Sequence, residues 1–293
     1  MSMEKTTTTQ QQVEQFQRDG FVVIENALSD SQLSLIKDDL SKWVEESKPH
    51  TQAFGQIMDG RPRFDIEPIT HTPEKPALRR ITSPAEVSGA CLDAVKNNNA
   101  LGLVTQFFGP NIKHWGNKIN LKLPSSGTEV KFHQDFPFEP HSNEDIVTVL
   151  FFLDDVTLKN GPLEVVPGTH KGPLYTLWHD GVFTGAVSPE VESNNKNKAV
   201  SCFGKAGSAC LMHSKLLHGS AANHSDSARC LLIISYSAED AVSLVPNPLP
   251  SELDGLIVRG KRTGNARCTN YSVELPEYPK EVSFFGQQDK AKN

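Results

Sequence analysis

The feature that most restricts the fold is a set of short apolar runs separated by turn residues. IVTVLFFL (146–153) is nearly continuous in apolar residues, as in a strand that is buried on both faces of a sheet. Two further runs, 207–214 and 229–236, are separated by a polar turn, and Asn160-Gly161 adds a strong hairpin signal. Many strands bounded by Gly, Pro and Asn turns predict a barrel or a double-sheet jelly roll.

A helical cover precedes these strands. Residues 13–47 predict a helix, a short strand after Gly20, and a second helix whose start is marked by a Ser29–Gln32 capping box. A further helix is predicted over 86–108. The apolar side chains of the second helix fall on one stripe that we expect to face the core: Leu33, Ile36, Leu40, Trp43 and Val44.

The predicted fold class is mainly β with flanking helices, a double-stranded β-helix (jelly roll, cupin-like) with a helical N-terminal cover. Residues 11–285 are expected to form a single domain with its jelly-roll core at about 112–240, since no repeat or linker divides them. Residues 46–85 are proline-rich and lack a clean period, which predicts an irregular lid. Residues 1–10 are predicted to be a disordered tail, and 286–293 a polar tail.

Composition excludes several classes of partner. The net charge is −6 and no Lys/Arg block exceeds three residues, which argues against nucleic-acid binding. No run approaches 18 apolar residues, so no membrane span is expected. The five cysteines are odd in number and include no CxxC, as in a reduced intracellular protein, and the cytoplasm is the predicted location. A small molecule is the expected partner; the oligomeric state is left open.

His133 and Asp135 are candidate metal ligands because residues two apart on a strand point to the same face. Non-haem Fe(II) oxygenases bind their metal through two histidines and one carboxylate, leaving three positions for cosubstrate and O₂. His213 and His218 are both candidates for the second histidine, and His218 precedes a glycine that allows close approach of a ligand. Arg229 opens an apolar strand, where a guanidinium is costly unless it meets an anion such as a carboxylate.

Three stretches resemble the phytanoyl-CoA hydroxylase family of Fe(II)/2-oxoglutarate dioxygenases, which also includes ectoine hydroxylase. They are INLKLPSSGTEVKFHQD, LKNGPLEVVPGTHKG and HGSAANHSDSARCLLIISYSAED, and the resemblance covers roughly 12–45 and 112–240. It implies an oxidation that uses Fe(II), 2-oxoglutarate as cosubstrate and O₂ and releases succinate and CO₂. The aromatic stretch FPFEP (136–140) favours a small organic metabolite as the substrate. The loop LPSSGTEVKF departs from the family's usual KPP or KPA start and lacks a tryptophan before the histidine, so the substrate is not implied.

Site residues follow from the same resemblance. It implies that His133, Asp135 and His218 bind the iron, and that Arg229, helped by Ser220, anchors the distal carboxylate of 2-oxoglutarate. Further residues around the cosubstrate are expected to be Asn120, Lys122, Gln134 and Phe151.

Several alternatives stay open. Hydroxylation is the default outcome, while desaturation and oxidative cyclisation need the same residues and differ only in the pose of the substrate. Asp135 argues against the halogenating branch, in which a small residue replaces the carboxylate.

The rival functions are a metal-dependent cupin-like enzyme without 2-oxoglutarate, against which Arg229 argues, and a catalytically silent jelly roll that binds a small ligand. An amino-acid-derived or secondary-metabolism intermediate is the expected substrate.

The substrate pocket is expected to be lined by the segments 46–85, 136–138 and 241–280. Within the first of these, Arg79 and Arg80 either form a solvated pair, which is the favoured interpretation, or point into the mouth to meet a substrate carboxylate.

Overall fold

The computed structural model of the chain describes residues 10–58, 60–124, 129–277 and 288. Nearly all of the two predicted tails lies outside these ranges. In chain order, the helices are α1 (Gln10–Asp19), α2 (Asp30–Ser47), α3 (Gly89–Asn97), α4 (Leu101–Phe108) and α5 (Pro189–Lys196). The strands are β1 (Phe21–Ile24), β2 (Phe54–Ile57), β3 (Pro62–Ile66), β4 (Leu78–Thr82), β5 (Ile112–Lys122), β6 (Val130–His133), β7 (Ile146–Phe152), β8 (Leu163–Val165), β9 (Trp178–His179), β10 (Val182–Phe183), β11 (Val200–Cys202), β12 (Ala209–His213), β13 (His218–Ser220), β14 (Arg229–Ala238) and β15 (Ile257–Arg259).

Two antiparallel sheets form the double-stranded β-helix that the sequence predicts. In the described ranges, the larger sheet has the strand order β1-β12-β7-β14-β5-β4-β3-β2, and β15 pairs with β5. The smaller sheet has the order β11-β8-β13-β6, and β9 and β10 form a separate ribbon. Apolar side chains of both sheets pack together between them, among them Leu150, Leu163, Val165, Leu231 and Ile233.

The central strand β7 is buried along its whole length, as its apolar run predicts. Its side chains alternate between two layers, because successive residues of a strand point to opposite faces. Leu150 and Phe152 pack in the layer between the sheets, whereas Val149 and Phe151 pack in the layer that contains the helices. Both faces of this strand are therefore parts of a core.

The helical layer begins as expected and then departs from the prediction. Ser29 and Gln32 form the predicted capping box of α2. The single helix predicted over 86–108 is wrong, because Asn98 separates α3 from α4. Its side-chain amide donates to the carbonyl oxygen of Ala94 at 2.7 Å, and its Oδ1 accepts from the backbone of Leu101 at 3.1 Å. No helix in the described part of the chain has the length and apolarity needed to cross a membrane.

The segment predicted to be irregular, 46–85, contains the strands β2, β3 and β4, which extend the larger sheet beyond β5. Arg63 holds this extension in place: its buried guanidinium donates to the carbonyl oxygens of Thr82 and Ser83 and pairs with Glu86 at 2.5 Å. The expected irregularity is therefore wrong for the described residues of the segment, and its movement as a lid stays a prediction.

Asn160-Gly161 does not form the predicted hairpin, because the strands on either side, β7 and β8, belong to different sheets. Asn160 instead closes a turn: its Oδ1 accepts from the backbone of Thr157, and its amide donates to the carbonyl oxygen of Asp155, both at 2.8 Å. Gly161 follows with a φ of 75°, a conformation that favours glycine. The turn carries the chain from one sheet to the other.

Candidate active site

Three metal-binding side chains meet where β6 and β13 run side by side. His133 ends β6, His218 begins β13, and the two are direct partners in the antiparallel pairing. Asp135 follows two residues after β6, and its Oδ1 lies 3.6 Å from Nε2 of each histidine. The candidate ligand atoms all lie within 4.8 Å of one another, so the set suits a single metal ion.

The backbone fixes which nitrogen of each imidazole faces this cluster. Nδ1 of His133 lies 2.8 Å from the carbonyl oxygen of Lys131, and Nδ1 of His218 lies 2.9 Å from that of Leu216. Because a carbonyl oxygen only accepts hydrogen bonds, each Nδ1 donates its proton. The lone pair of each ring is therefore on Nε2, the nitrogen that faces Asp135.

The protonation states also suit a metal. Burial, followed by repulsion from His218, lowers the pKa of His133 to about 3. Burial opposes the charge on Asp135, but His218, His133 and Lys118 hold the pKa of its carboxyl below its usual value. Its Oδ2 also accepts a hydrogen bond from Thr148 at 2.9 Å. A neutral imidazole and an ionised carboxylate are the forms in which these groups bind metals.

The cluster opens into a cavity of about 260 Å³ between the two sheets. Strand β5 supplies one wall with every second residue, Lys118, Asn120 and Lys122, as the two-residue period of a strand requires. In the neighbouring strand β14, Arg229 pairs with Lys122 and Leu231 pairs with Asn120. Two cationic side chains therefore lie next to each other at one end of the cavity.

Arg229 is buried at this end of the cavity, and few nearby groups balance the positive charge of its guanidinium. One of its terminal nitrogens donates to the carbonyl oxygen of Gly161 at 2.6 Å, while its Nε has no partner among the described residues. Burial lowers the pKa of Arg229 to about 10. Among the described residues, no carboxylate lies within 4.0 Å of it in a salt bridge. A buried guanidinium in this state fits a carboxylate group that comes from outside the chain.

Lys122 and Ser220 complete this end. The Lys122 ammonium donates to Oγ of Ser220 at 2.6 Å and to the carbonyl oxygen of Ala221. Burial, followed by repulsion from Arg229, lowers the pKa of Lys122 to about 7. Asn120 lies farther along the wall, and its buried Oδ1 has no hydrogen-bond partner in the part of the chain that the structure describes. The predicted residues Arg229, Ser220, Asn120 and Lys122 therefore line one cavity together with the His-Asp-His cluster.

The other two predicted cosubstrate residues do not line the cavity. Gln134 lies between His133 and Asp135 and points away from both; its amide donates to the carbonyl oxygens of Lys215 and Pro173, and its Oε1 accepts from the backbone of Tyr175. Phe151 packs in the helical layer. Both predictions disagree with the cavity lining: Gln134 stands between His133 and Asp135, and Phe151 follows Leu150, and these neighbours are the residues that face the cavity.

The cavity mouth contains parts of all three segments that were expected there. Phe138 of 136–138 and Pro248 and Leu249 of the C-terminal segment line it. From 46–85 come Arg61, Asp65, Arg79 and Arg80.

Arg80 and Lys118 both line the cavity, although neither residue was predicted there from the sequence. The side chain of Arg80 is 16% exposed and lines the cavity, so the favoured interpretation as a solvated pair is wrong. Arg79, in contrast, is held by Asp65 and Glu67, each at 2.9 Å. Lys118 could have been found from the sequence, because it precedes Asn120 and Lys122 at the same two-residue spacing.

Comparisons with known proteins agree with this architecture. The phytanoyl-CoA dioxygenase family model matches residues 16–230. A probable alpha-ketoglutarate-dependent hypophosphite dioxygenase of Stutzerimonas stutzeri is 32% identical and aligns over 92% of this chain and 91% of its own length. The L-proline trans-4-hydroxylase of Streptomyces griseoviridis is 29% identical, over 65% of this chain and 79% of its own.

Solved structures share the fold. Iron-bound EctD of S. alaskensis superposes with a TM-score of 0.66 at 19% identity, covering 92% of this chain and 90% of its own. The non-haem alpha-ketoglutarate-dependent carbocyclase of nogalamycin biosynthesis gives a TM-score of 0.63 at 17% identity, covering 86% and 98%.

The double-stranded β-helix and its His-Asp-His cluster define the class: a 2-oxoglutarate-dependent non-haem iron dioxygenase, which uses Fe(II), 2-oxoglutarate and O₂. Within that class, the chain belongs to the phytanoyl-CoA dioxygenase family. The family that the sequence motifs indicate is thereby confirmed.

Proposed function

We propose that this enzyme hydroxylates a small free metabolite, with His133, Asp135 and His218 as the iron ligands. Arg229, Ser220, Lys122 and Asn120 hold 2-oxoglutarate. One observation carries the proposal: the His-Asp-His cluster opens into the same cavity as the buried Arg229, which has no carboxylate partner among the described residues.

Each group has a defined task. Bound iron supplies the redox chemistry by which O₂ oxidises both 2-oxoglutarate and the substrate, giving succinate, CO₂ and a hydroxylated product. His133 and His218 present their Nε2 lone pairs to the metal, because their Nδ1 atoms donate to the backbone. Thr148 orients the Asp135 carboxylate through Oδ2 and leaves Oδ1 to face the imidazoles. The apolar wall formed by Leu150, Leu163 and Leu231 excludes water.

The size of the cavity supports a small substrate. At about 260 Å³ it lies below the range of about 300–1,000 Å³ that is common for ligand pockets, and it has to hold the cosubstrate as well. The two relatives described above are named for hypophosphite and for L-proline, which are both small molecules.

Succinate release tests the proposed function. The purified enzyme is incubated with Fe(II), 2-oxoglutarate and pools of small metabolites, and mass spectrometry identifies which metabolite gains an oxygen atom. Succinate and oxidised product are expected in a 1:1 ratio, and both should disappear when iron is omitted or when Asp135→Ala replaces the wild type. Product formation that continues without 2-oxoglutarate would contradict the assignment of the cosubstrate.

Binding of 2-oxoglutarate is also expected to take up a proton near neutral pH. Without cosubstrate, Lys122 has a pKa of about 7 and is mostly neutral at about pH 8; a bound carboxylate favours its charged form and raises that pKa. Uptake should therefore approach one proton at about pH 8 and vanish at about pH 6, where the lysine is already charged. Calorimetry in two buffers of different ionisation enthalpy measures this uptake. The variant Lys122→Met should show none, and equal uptake in this variant would rule out Lys122 as the source.

A further inference from the structure

Two further cations line the cavity beyond the Lys122–Arg229 pair. Arg80 of β4 is paired in register with Asn120 of β5, and Lys118 lies two residues farther along β5 on the same face. Lys118 and Lys122 are four positions apart, which is about 13 Å along a strand. Arg80 and Lys118, the outer cations, are thus distinct from the Lys122–Arg229 pair.

The outer cations lack full partners. Within the described ranges, Nε of Arg80 is buried without a hydrogen-bond partner, and the carboxylate of Asp65 is 4.0 Å from its terminal nitrogen. Asp65 is already engaged by Arg79, with contacts of 2.9 and 3.2 Å. Lys118 forms no salt bridge within 4.0 Å in the described part of the chain. A buried guanidinium without a dedicated carboxylate is costly unless a ligand supplies an anion.

The cavity as a whole also contains more positively charged than negatively charged side chains. Six Lys and Arg side chains line it against three carboxylates, Asp65, Asp135 and Glu139. Fe(II) and the 2-oxoglutarate dianion cancel each other, so loading the site with both leaves an excess of positive charge.

We propose that the substrate carries an anionic group, a carboxylate or a phosphorus oxyanion, and that Arg80 binds it with the help of Lys118. This proposal rests on the proposed function and adds the substrate class to it. Arg80 forms a charge-assisted hydrogen bond through its buried Nε, and Lys118 contributes a second hydrogen-bond donor to the same cavity. The cavity then binds two different anions, 2-oxoglutarate at Arg229 and the substrate at Arg80, which lies beside Asn120.

Binding of defined probes to the anaerobic Fe(II)–2-oxoglutarate enzyme tests the proposal without turnover. The probes are hypophosphite, cyclopentanecarboxylate and the uncharged cyclopentanecarboxamide. Binding is followed by calorimetry and by the change in the visible charge-transfer band of iron-chelated 2-oxoglutarate. At least one anion is expected to bind, and the amide is not. Which anion binds distinguishes a phosphorus oxyanion from a carboxylate.

Variants then assign the site. Arg80→Gln should weaken binding of the anion by about 30-fold or more, as expected when one partner of a buried charge pair is removed. Arg80→Lys should restore part of it, and Lys118→Gln should weaken it independently. Arg259→Gln removes the same charge from β15, outside the cavity, and should bind like the wild type.

The outcomes separate the two proposals. If neither anion binds, if the amide binds equally well, or if both Arg80→Gln and Lys118→Gln bind the anion like the wild type, the anionic substrate class is wrong. If Arg80→Gln weakens binding of 2-oxoglutarate as strongly as that of the probe, Arg80 belongs to the cosubstrate site and the proposal fails as well. A wild-type enzyme that gives no charge-transfer band with Fe(II) and 2-oxoglutarate would contradict the proposed function itself.

Discussion

Replacing His218 with alanine is expected to abolish iron-dependent succinate formation, with a loss of more than about 100-fold. Loss of a hydrogen-bond partner behind a metal ligand already costs about 10–100-fold, and this variant loses the ligand itself. Only His133 and Asp135 would remain to hold the metal, and two ligands hold Fe(II) weakly. Iron content after gel filtration and succinate formation under saturating 2-oxoglutarate are the two measurements.

His213 provides the matched control, because it is the other histidine of the same stretch of sequence. It ends β12, and its ring packs near Phe16, Phe108 and His170 at centroid distances of 5.4–6.4 Å. Its Nδ1 accepts a hydrogen bond from the backbone of Lys215. His213→Ala should retain iron and lose only about 0.5–3 kcal/mol of the free energy of unfolding. An inactive His213→Ala beside an active His218→Ala would reverse the choice of ligand.

The second large effect is expected for Arg229→Gln. This variant should have a higher apparent KM for 2-oxoglutarate and should still bind iron. Truncating one partner of a buried charge pair costs about 2–5 kcal/mol, which corresponds to roughly 30-fold to several thousand-fold in affinity. Arg229→Lys should be milder but still impaired, since lysine lacks the planar fork that matches a carboxylate. Titration of succinate formation against 2-oxoglutarate provides the comparison.

Stability distinguishes a binding role of Arg229 from a structural one. Without cosubstrate its Nε is buried and meets no partner in the described residues, so its loss should leave the free energy of unfolding of the cosubstrate-free protein unchanged or raise it. Arg259, which also donates to a backbone carbonyl oxygen, lies outside the cavity, and Arg259→Gln should keep the wild-type dependence on 2-oxoglutarate. An Arg229→Gln variant that unfolds easily but keeps its cosubstrate dependence would make the arginine structural.

The sequence predicted those structural features that are determined by residues close together in the chain. The two-residue spacing of His133 and Asp135 and the cap of α2 at Ser29 each act over a few positions, and the structure contains both. The apolar runs predicted β7 and β14 because both faces of these strands are buried. These features can be recognised in a single sequence because they follow from the residue spacing of helices and strands.

The errors arose where the partner of a residue lies far away in the sequence. Gln134 and Phe151 alternate with residues that face the cavity, and only the assembled sheets show that they face the other way. Strands β2 to β4 exist because they extend a sheet that ends at β5, and their prolines hide any local period. The sequence favours a solvated position for Arg80, because no residue near it in the chain indicates that Asn120 lies beside it.

The pairing of β6 with β13 has a consequence for how the protein matures. His133 and His218 are 85 positions apart, and Arg229 and Lys122 are even farther from each other along the chain. The metal site therefore cannot exist before most of the polypeptide has left the ribosome and its long-range strand pairs have closed, a slow type of folding step. Iron can bind all three ligands only after these pairs have formed, so its binding stabilises the folded state. A substitution that delays closure of the sheets would consequently appear in cells as iron-poor enzyme, even though every ligand is intact.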